Sequence, residues 1–362
     1  KTFDKKVQIP RYLGISNIYE SGCKCTIEFG FSKPLKSVIE ANNKKEILKL
    51  LSYCLKPISA RSLAKKMNFD RAEIVTICNQ LLHEGILELP YKLPKSYLRY
   101  DRHTLFYKMN GLNPINAQKK ISKVKIALIG MGGIGNWVAL NFIGMGFKEL
   151  KLIDFDRIEV SNLTRQVLFN EKDIGKLKTD IAKRVLSSKN TQTKITGINL
   201  KIDGLLNLKK YLRGIDFVVL SADRPTQIHD WVDSICIKNN IPYINLGYKD
   251  GTGIIGPLTV PGITSCYQCH KSKQYTLSTG NDQLDNFMQK VDTRYQAPSF
   301  GPLNSMVSSI GATEVIKYVL GLNCESLSTE LSIDPLSLII SKTLYQKDHK
   351  CWNCSSSKVR KG

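Results

Sequence analysis

The feature of this sequence that most restricts its fold is a glycine-rich loop between an apolar strand and a helix. The segment reads KIALIGMGGIG and places Gly130, Gly132, Gly133 and Gly135 directly after a run of apolar residues. Glycines in such a loop let the backbone approach a phosphate closely, and amide groups at the helix N-terminus can point towards it. The loop therefore predicts a strand, a tight turn and a helix that form part of a nucleotide site.

The region around this loop alternates between strand and helix patterns. Apolar runs of strand length predict strands at residues 124–129, 150–154, 194–199, 217–222 and 243–246, and a helix over 226–239 precedes the last of them. This alternation is typical of an α/β, Rossmann-like doubly wound sheet, whose ligand site lies at the carboxyl ends of its strands. The polar stretch 271–298 is predicted as an irregular loop near that site.

The N-terminal quarter of the chain has a different pattern. Residues 6–31 alternate roughly between apolar and polar and predict short strands, and three short helices follow before an apolar tail at 86–89. Ser59 and Asp70 are placed to cap two of these helices. The layout resembles an α+β winged-helix module, a class that binds DNA or peptides. We therefore divide the chain into domains at residues 1–98 and 99–362.

Composition limits the class of protein but does not select a ligand. Lys and Arg number 53 against 31 Asp and Glu, a net charge of +22, which attracts nucleotides, acidic peptides, nucleic acid or anionic membranes. A hydrophobic share of 42% excludes a disordered chain. No apolar run of about 18 residues and no signal-peptide core is present, so we expect a cytoplasmic protein without membrane spans.

Charged and amide side chains follow the second predicted strand. Asp154 ends that strand, where a carboxylate can accept hydrogen bonds from ribose hydroxyls. The side chains suited to holding a triphosphate are Asn162, Arg165, Gln166 and Lys178. Displacement at an α-phosphate develops charge that Arg and Lys stabilise, whereas hydride transfer does not, so the set favours phosphate chemistry over an NAD-dependent dehydrogenase.

Asp223 ends the fourth predicted strand in the segment VVLSADRP. A carboxylate at the carboxyl edge of the sheet can hold a Mg²⁺ ion that bridges phosphates. Its position before Pro225 also suits a helix cap, and spacing alone leaves both interpretations open.

Four of the ten cysteines form two Cys-x-x-Cys pairs. These are Cys266 with Cys269 and Cys351 with Cys354. Two such pairs supply four thiolates for a tetrahedral zinc ion, in a closed structural site with no open position for catalysis. The remaining cysteines are scattered, which is typical of a metal-binding intracellular protein rather than a disulfide-bonded one.

The motifs GMGGIG, DFD, SNLTRQ, GKLK and SAD, in this order and spacing, resemble the ubiquitin-activating-enzyme-like adenylating family, which includes the ThiF and MoeB proteins. The resemblance extends over about residues 99–354. It implies a homodimer that adenylates a C-terminal carboxylate with ATP and Mg²⁺. It also implies that Asp154 holds the ribose, that Asn162, Arg165 and Lys178 hold the phosphates, and that Asp223 holds the magnesium.

The resemblance adds Arg102 as a fourth catalytic candidate beside Arg165, Lys178 and Asp223. In the segment RYDRH it matches an arginine that family dimers insert into the neighbouring subunit's nucleotide site, although many relatives have Ser/Asn-Arg-Gln where this chain has Asp-Arg-His. Relatives that form a thioester carry a cysteine in the region after the sheet, and this chain has none between residues 270 and 298. The acyl group is therefore expected to pass to a nucleophile on the substrate or to an external one.

A narrower likeness is to the microcin-C-type peptide-modifying enzymes of the same family. The segments that carry it are NLTRQVLF, VVLSAD, PYINLGY and GPLTVPG. It implies activation of a short ribosomal precursor peptide in antibiotic biosynthesis, with residues 1–98 as a peptide clamp. An acyl-adenylate would form first, and a succinimide and a nitrogen–phosphorus bond would follow.

Three alternatives remain open from the sequence. The substrate can instead be the C-terminus of a β-grasp sulfur carrier, although such a carrier needs no additional clamp. The nucleotide can be CTP rather than ATP. A nucleotide-sensing winged-helix DNA-binding regulator is disfavoured, because the helix expected at 71–83 has few basic residues for phosphate contacts.

Overall fold

Two units divide the chain, Lys1–Gln118 and Lys119–Gly362. The computed structural model describes residues 5–32, 35–271, 282–294 and 297–355. The functional boundary expected between residues 98 and 99 stays a prediction. Among the described residues, no helix combines the length and the apolar character needed to cross a membrane.

The first unit contains two small antiparallel sheets and a group of helices. Its strands are β1 (Lys6–Val7), β2 (Ile15–Ser21), β3 (Lys24–Phe29), β4 (Ser37–Ala41) and β5 (Ile58–Ser59). Its helices are α1 (Lys44–Tyr53), α2 (Ala60–Met67), α3 (Arg71–His83) and α4 (Asp101–Met109), and α5 (Pro114–Ile121) spans the junction between the units. β2, β3 and β4 form one sheet, and β1 pairs with β5.

The predicted helix caps in the first unit are confirmed. The Ser59 hydroxyl accepts a hydrogen bond from the Ser62 amide at 3.2 Å, and the Asp70 carboxylate accepts one from the Ala72 amide at 2.7 Å. Each cap pairs an amide that the first helical turn leaves without a partner. The apolar tail expected at 86–89 is no full strand, because only Glu88 pairs there, in an isolated bridge to Gln8.

The second unit is built on a large mixed sheet. Its strands are β6 (Lys125–Ile129), β7 (Glu149–Asp154), β8 (Lys194–Asn199), β9 (Phe217–Leu220), β10 (Tyr243–Lys249), β11 (Thr252–Thr259), β12 (Thr329–Ile333) and β13 (Ile340–Leu344). Its helices are α6 (Gly133–Met145), α7 (Lys178–Lys189), α8 (Leu205–Leu212), α9 (Ile228–Asn239), α10 (Tyr267–Lys271), α11 (Asp282–Arg294) and α12 (Gly301–Leu320).

The strand order confirms the predicted doubly wound α/β fold. The sheet runs β13-β12-β11-β10-β9-β6-β7-β8, and β8, β7, β6, β9 and β10 are parallel neighbours. All five predicted strands are present, and the largest difference is in the last, which ends at Lys249 rather than at residue 246. The strands that follow β6 are added on one side of it as far as β8, and β9 and β10 are then added on its other side. This reversal of strand order lies between β6 and β9, where ligands of such folds bind.

The loop predicted at residues 271–298 is wrong for most of those of its residues that the structure describes. Residues 271–298 were expected to be irregular, but Asp282–Arg294 forms α11. The physical reason is the spacing of Leu284, Phe287 and Val291, which recur at helical intervals within a polar segment. Residues 272–281 and 295–296 lie outside the described residues.

The glycine loop approaches the end of β9 more closely than a larger residue would allow. Gly130 has φ of +95°, and a Cβ atom there would lie 2.8 Å from the Ser221 carbonyl oxygen. A Cβ atom on Gly135 would overlap the carbonyl oxygen of Gly130. The two glycines therefore fix the path of the loop across the point where β6 and β9 meet.

We expect Gly135→Ala to destabilise the protein by about 1–3 kcal/mol, because the added methyl group must displace backbone. Gly144→Ala is the matched control in the same helix, since a Cβ atom there meets nothing within 4 Å. It should be neutral or should stabilise the fold by up to about 1 kcal/mol, because alanine favours helix. Urea unfolding measures both changes, and equal stability of the two variants would contradict the close approach.

Candidate functional site

The carboxyl ends of the parallel strands border two adjoining cavities. The first has a volume of about 260 Å³ and the second of about 300 Å³. Both are lined by Gly132, Ser221, Ala222 and Asp223, so they form one continuous cleft. The cleft lies at the carboxyl ends of the neighbouring strands β6 and β9, where the topology predicts a ligand site.

Asp154 holds the glycine loop against the end of β7. Its Oδ2 atom accepts a hydrogen bond from the Met131 amide at 2.6 Å, and its Oδ1 atom accepts one from the Asp156 amide at 2.8 Å. Burial raises the pKa of Asp154 above the ordinary carboxyl value, while the positive charge of Lys178 opposes that shift. The residue lines the first cavity, as a ribose-binding carboxylate must.

Lys178 lines the same cavity as the first residue of α7. Its side chain is almost fully buried, and its Nζ atom lies 2.7 Å from Oδ2 of Asp156. A buried ammonium group needs such a partner, because burial of an unpaired charge is costly. The sequence analysis did not identify Asp156, although the repeated aspartate in the DFD motif was a signal for it.

Arg165 and Gln166 line the second cavity. The guanidinium of Arg165 donates a hydrogen bond to the Ser161 carbonyl at 2.8 Å, and its side chain packs beside Gly133. Gln166 is 3% exposed, and its Oε1 atom has no hydrogen-bond partner among the described residues. Arg165 and Lys178, predicted to act as a pair, therefore lie in adjoining cavities of one cleft.

Three predicted residues lie outside the lining of the cleft. Asn162 is buried, and its side-chain oxygen accepts from the Glu159 amide at 3.2 Å, so it shapes the turn that presents Arg165. Gly135 lies beneath the loop. Arg102 is exposed on α4, in the other unit. Ligand contacts by these residues stay predictions.

Asp223 is exposed at the place where the two cavities meet. Two further polar residues, which the sequence analysis missed, line the second cavity beside it: His229 and Asn245. Asn245 is 9% exposed, and its side chain interacts with the His229 imidazole. Burial lowers the pKa of His229. A polar residue inside the apolar strand YINLGY was the signal for Asn245.

The structure brings the four cysteines of the two Cys-x-x-Cys pairs together, and all are buried. Their sulfur atoms lie within 4.8 Å of one another, with 3.7 Å between Cys266 and Cys351 and 3.5 Å between Cys269 and Cys354. Zinc–sulfur bonds of about 2.3 Å in a tetrahedron require sulfur atoms about 3.8 Å apart. Burial raises the pKa of the Cys354 thiol, and a bound cation favours the thiolate form of a ligating cysteine. The donor set is thus compatible with zinc.

We expect the purified protein to contain about one zinc ion per chain, and Cys269→Ser to lose most of it, because three thiolates hold a structural zinc ion poorly. The matched control is Cys23→Ser, which changes an exposed cysteine and should leave the metal content unchanged. Atomic absorption after gel filtration measures the content. Equal zinc in both variants, or none in the unmodified protein, would contradict the assignment.

Comparison with known proteins identifies the family of the second unit. The model of the ThiF family matches residues 100–353. SUMO-activating enzyme subunit 2 of Dictyostelium discoideum is 32% identical over 165 residues, which are 44% of this chain and only 24% of that protein. The sulfur carrier protein ThiS adenylyltransferase of Escherichia coli strain K12 is 26% identical over 228 residues, or 63% of this chain and 83% of that protein.

Solved structures of E. coli MccB resemble the whole chain. MccB with MccA-N7isoASN has a TM-score of 0.80 and 30% identity, and the match covers 97% of this chain and 100% of MccB. MccB with ATP has a TM-score of 0.77 at the same identity, over 96% and 99% of the two chains. These findings confirm the resemblance that the ordered motifs predicted. The chain belongs to the ThiF family.

Proposed function

We propose that this protein is an ATP-dependent adenylyltransferase that activates the C-terminal carboxylate of a short ribosomal peptide. Family membership and the adenylyltransferases among its relatives support ATP-dependent adenylation. The MccB structures with MccA support a peptide substrate. The observation that carries the proposal is the single cleft in which a ribose-type carboxylate, two cations and an exposed carboxylate line two joined cavities.

The first cavity suits a nucleotide. Its apolar wall includes Ile153, Phe155 and Ile202, against which a base can pack, and Asp154 lies at its floor for the ribose. The glycine loop and the N-terminus of α6 offer amide groups to the phosphates. Lys178 would exchange part of its interaction with Asp156 for a phosphate oxygen, because both are anionic partners of the same ammonium group.

The reaction would take place where the cavities meet. An oxygen of the peptide carboxylate attacks the α-phosphorus of ATP, the bond to pyrophosphate breaks, and an acyl-adenylate forms. The nucleophile is already ionised at neutral pH, so this step needs no general base. Arg165 and Lys178 would stabilise the charge that develops on the phosphate oxygens. Asp223 would hold a Mg²⁺ ion, which neutralises charge on the phosphates when it is bound.

The second cavity suits the terminal residue of the peptide. Gln166 brings a buried amide oxygen without a hydrogen-bond partner in the described residues, and a buried acceptor of this kind is costly unless a ligand satisfies it. A terminal asparagine amide supplies the matching N–H groups. Its nitrogen would then attack the activated carbonyl carbon, the bond from that carbon to the AMP oxygen would break, and loss of a proton would leave a succinimide and free AMP. The imide nitrogen would next lose its proton and attack the α-phosphorus of a second ATP, which would release pyrophosphate and form the nitrogen–phosphorus bond.

A sulfur-carrier substrate is the second candidate, and the likeness to the ThiS adenylyltransferase favours it. Pyrophosphate release separates the candidates when the protein is supplied with ATP or CTP and with either short peptides ending in asparagine or a β-grasp carrier. We expect release with ATP and a peptide. Pyrophosphate release with the carrier and not with a peptide would contradict the peptide substrate and would favour a role in sulfur transfer. Salt-dependent DNA binding without any release would favour the regulator.

We expect Asp223→Ala and Lys178→Ala to reduce the rate of pyrophosphate release by about 10²–10³-fold, as for loss of other groups that stabilise transition-state charge. Lys210→Ala removes a cation that lines neither cavity of the cleft and serves as the matched control. Zinc content should stay the same in all three proteins. Full activity of either cleft variant would contradict the role given to that residue.

Arg102 is proposed to act in the nucleotide site of a partner subunit in a homodimer. Arg102→Ala and Asp223→Ala should each be strongly impaired alone. In a mixed dimer of the two variants, one of the two sites keeps both residues, so random reassortment of equal amounts should restore about a quarter of the unmodified activity. Activity measured after subunit exchange tests this. No recovery despite demonstrated exchange would contradict the trans arrangement.

A further inference from the structure

One face of α9 runs from the second cavity to the four-cysteine cluster. His229, Asp233 and Ile237 follow one another at four-residue intervals, so their side chains share a face of the helix. His229 lines the second cavity, and Ile237 packs in one apolar cluster with the four cysteines. Asp233 lies between them.

Asp233 is 0% exposed and is held by hydrogen bonds from three parts of the chain. Its Oδ1 atom accepts from the Tyr243 hydroxyl at 2.6 Å, and its Oδ2 atom accepts from the Asn353 side-chain amide at 2.8 Å. The backbone amides of Tyr267 and Gln268 donate to it at 3.3 Å each. A buried carboxylate is stable only with several such donors, so each of these groups is needed where it is.

The positions of these donors connect the cysteines with the wall of the cavity. Tyr267 and Gln268 stand between Cys266 and Cys269, and Asn353 stands between Cys351 and Cys354. We call these two segments the cysteine hooks. Tyr243 begins β10, the strand that brings Asn245 and Tyr248 to the second cavity. Asp233 therefore bonds to both hooks and to one wall of the cavity.

A second contact joins the first hook to the cavity. The Tyr267 ring stacks on the His229 imidazole, with ring centroids 5.2 Å apart and an angle of 22° between the planes. The stacked pair fixes the orientation of an imidazole that lines the second cavity. A shift of the first hook must consequently move His229, because closely packed groups transmit displacement.

We propose that Asp233 is a positioning residue that links the four-cysteine metal site to the substrate cavity, so that a filled metal site fixes His229 and the β10 wall. The inference rests on the proposed function for the identity of the cavity's ligand. It also rests on zinc as the metal that the cysteines hold. It goes beyond both, because it assigns the four-cysteine site an effect on substrate binding, although such a site has no open coordination position for a substrate.

The first test uses Asp233→Asn in the full chain loaded with zinc. Both oxygens of the Asp233 carboxylate accept hydrogen bonds, whereas an asparagine side chain has one oxygen and one NH₂ group. The NH₂ group cannot accept, so the hooks lose hydrogen bonds. We expect zinc to leave for an excess of chelator about tenfold faster than from the unmodified protein, the size of effect typical of outer-shell partners of a metal site. We also expect the KM for the peptide to rise about tenfold while the KM for ATP stays unchanged.

The matched control is Asp230→Asn, on the same helix. Asp230 accepts a hydrogen bond from the Gln268 side chain at 2.7 Å, which an asparagine oxygen can also accept. This variant should retain zinc as the unmodified protein does.

A readout that needs no substrate separates failure of the link from failure of the proposed function. The chain has five histidines, so the imidazole signals of a histidine-labelled sample are few, and the signal lost in His229→Gln identifies His229. We expect this signal to shift when zinc is removed and in Asp233→Asn. A signal that stays in place on zinc removal would overturn the link even if the enzyme activates peptides.

Tyr267→Leu keeps the test valid if Asp233→Asn does not fold. Leucine keeps the backbone amide that bonds to Asp233 and all four cysteines, but it removes the aromatic partner of His229. We expect unchanged zinc retention, a shifted His229 signal and a raised KM for the peptide. An unshifted signal with an unchanged KM would overturn the proposed route from the hook to the cavity.

Discussion

The close approach of the glycine loop to the end of β9 is the constraint on which the cleft depends. Gly130 lies against the Ser221 carbonyl, and Asp154 binds the Met131 amide at 2.6 Å, so the loop is held from both neighbouring strands. This arrangement leaves the carboxyl ends of β6 and β9 uncovered and allows the two cavities to join. A side chain at either tight glycine would push the loop into the space that a nucleotide needs.

Both cations predicted for the cleft, Arg165 and Lys178, have an oxygen acceptor within the protein. The buried Lys178 is neutralised by Asp156, and Arg165 donates to a backbone carbonyl. The large positive net charge of the chain favours an anionic ligand, and under the proposed function the cations in the cleft would position its phosphates. Because these cations are already oriented, little reorganisation is required when charge develops at the α-phosphorus.

The sequence was sufficient to predict the features that depend on local patterns. Five apolar runs predicted the parallel strands, the glycines predicted the loop, and the Cys-x-x-Cys spacing predicted the cysteine cluster. The antiparallel strands β11, β12 and β13 were not predicted, and β13 has all five of its residues exposed, so no buried apolar run marks it. Asp233, His229 and Asn245 were missed because their contacts come from residues distant in sequence. Asn162 is buried in a turn, a position that the motif alone did not reveal, and its contact with a phosphate stays a prediction.

The central claim is that a peptide carboxylate oxygen attacks the α-phosphorus of ATP in this cleft. The most direct test uses a peptide whose terminal carboxylate is labelled with ¹⁸O, followed by mass spectrometry of the AMP released after the first activation. Attack at the α-phosphorus predicts one ¹⁸O atom in the AMP, because the bridging oxygen leaves with the nucleotide when the acyl carbon is attacked. AMP without label, with both labelled oxygens still in the peptide, would contradict the account.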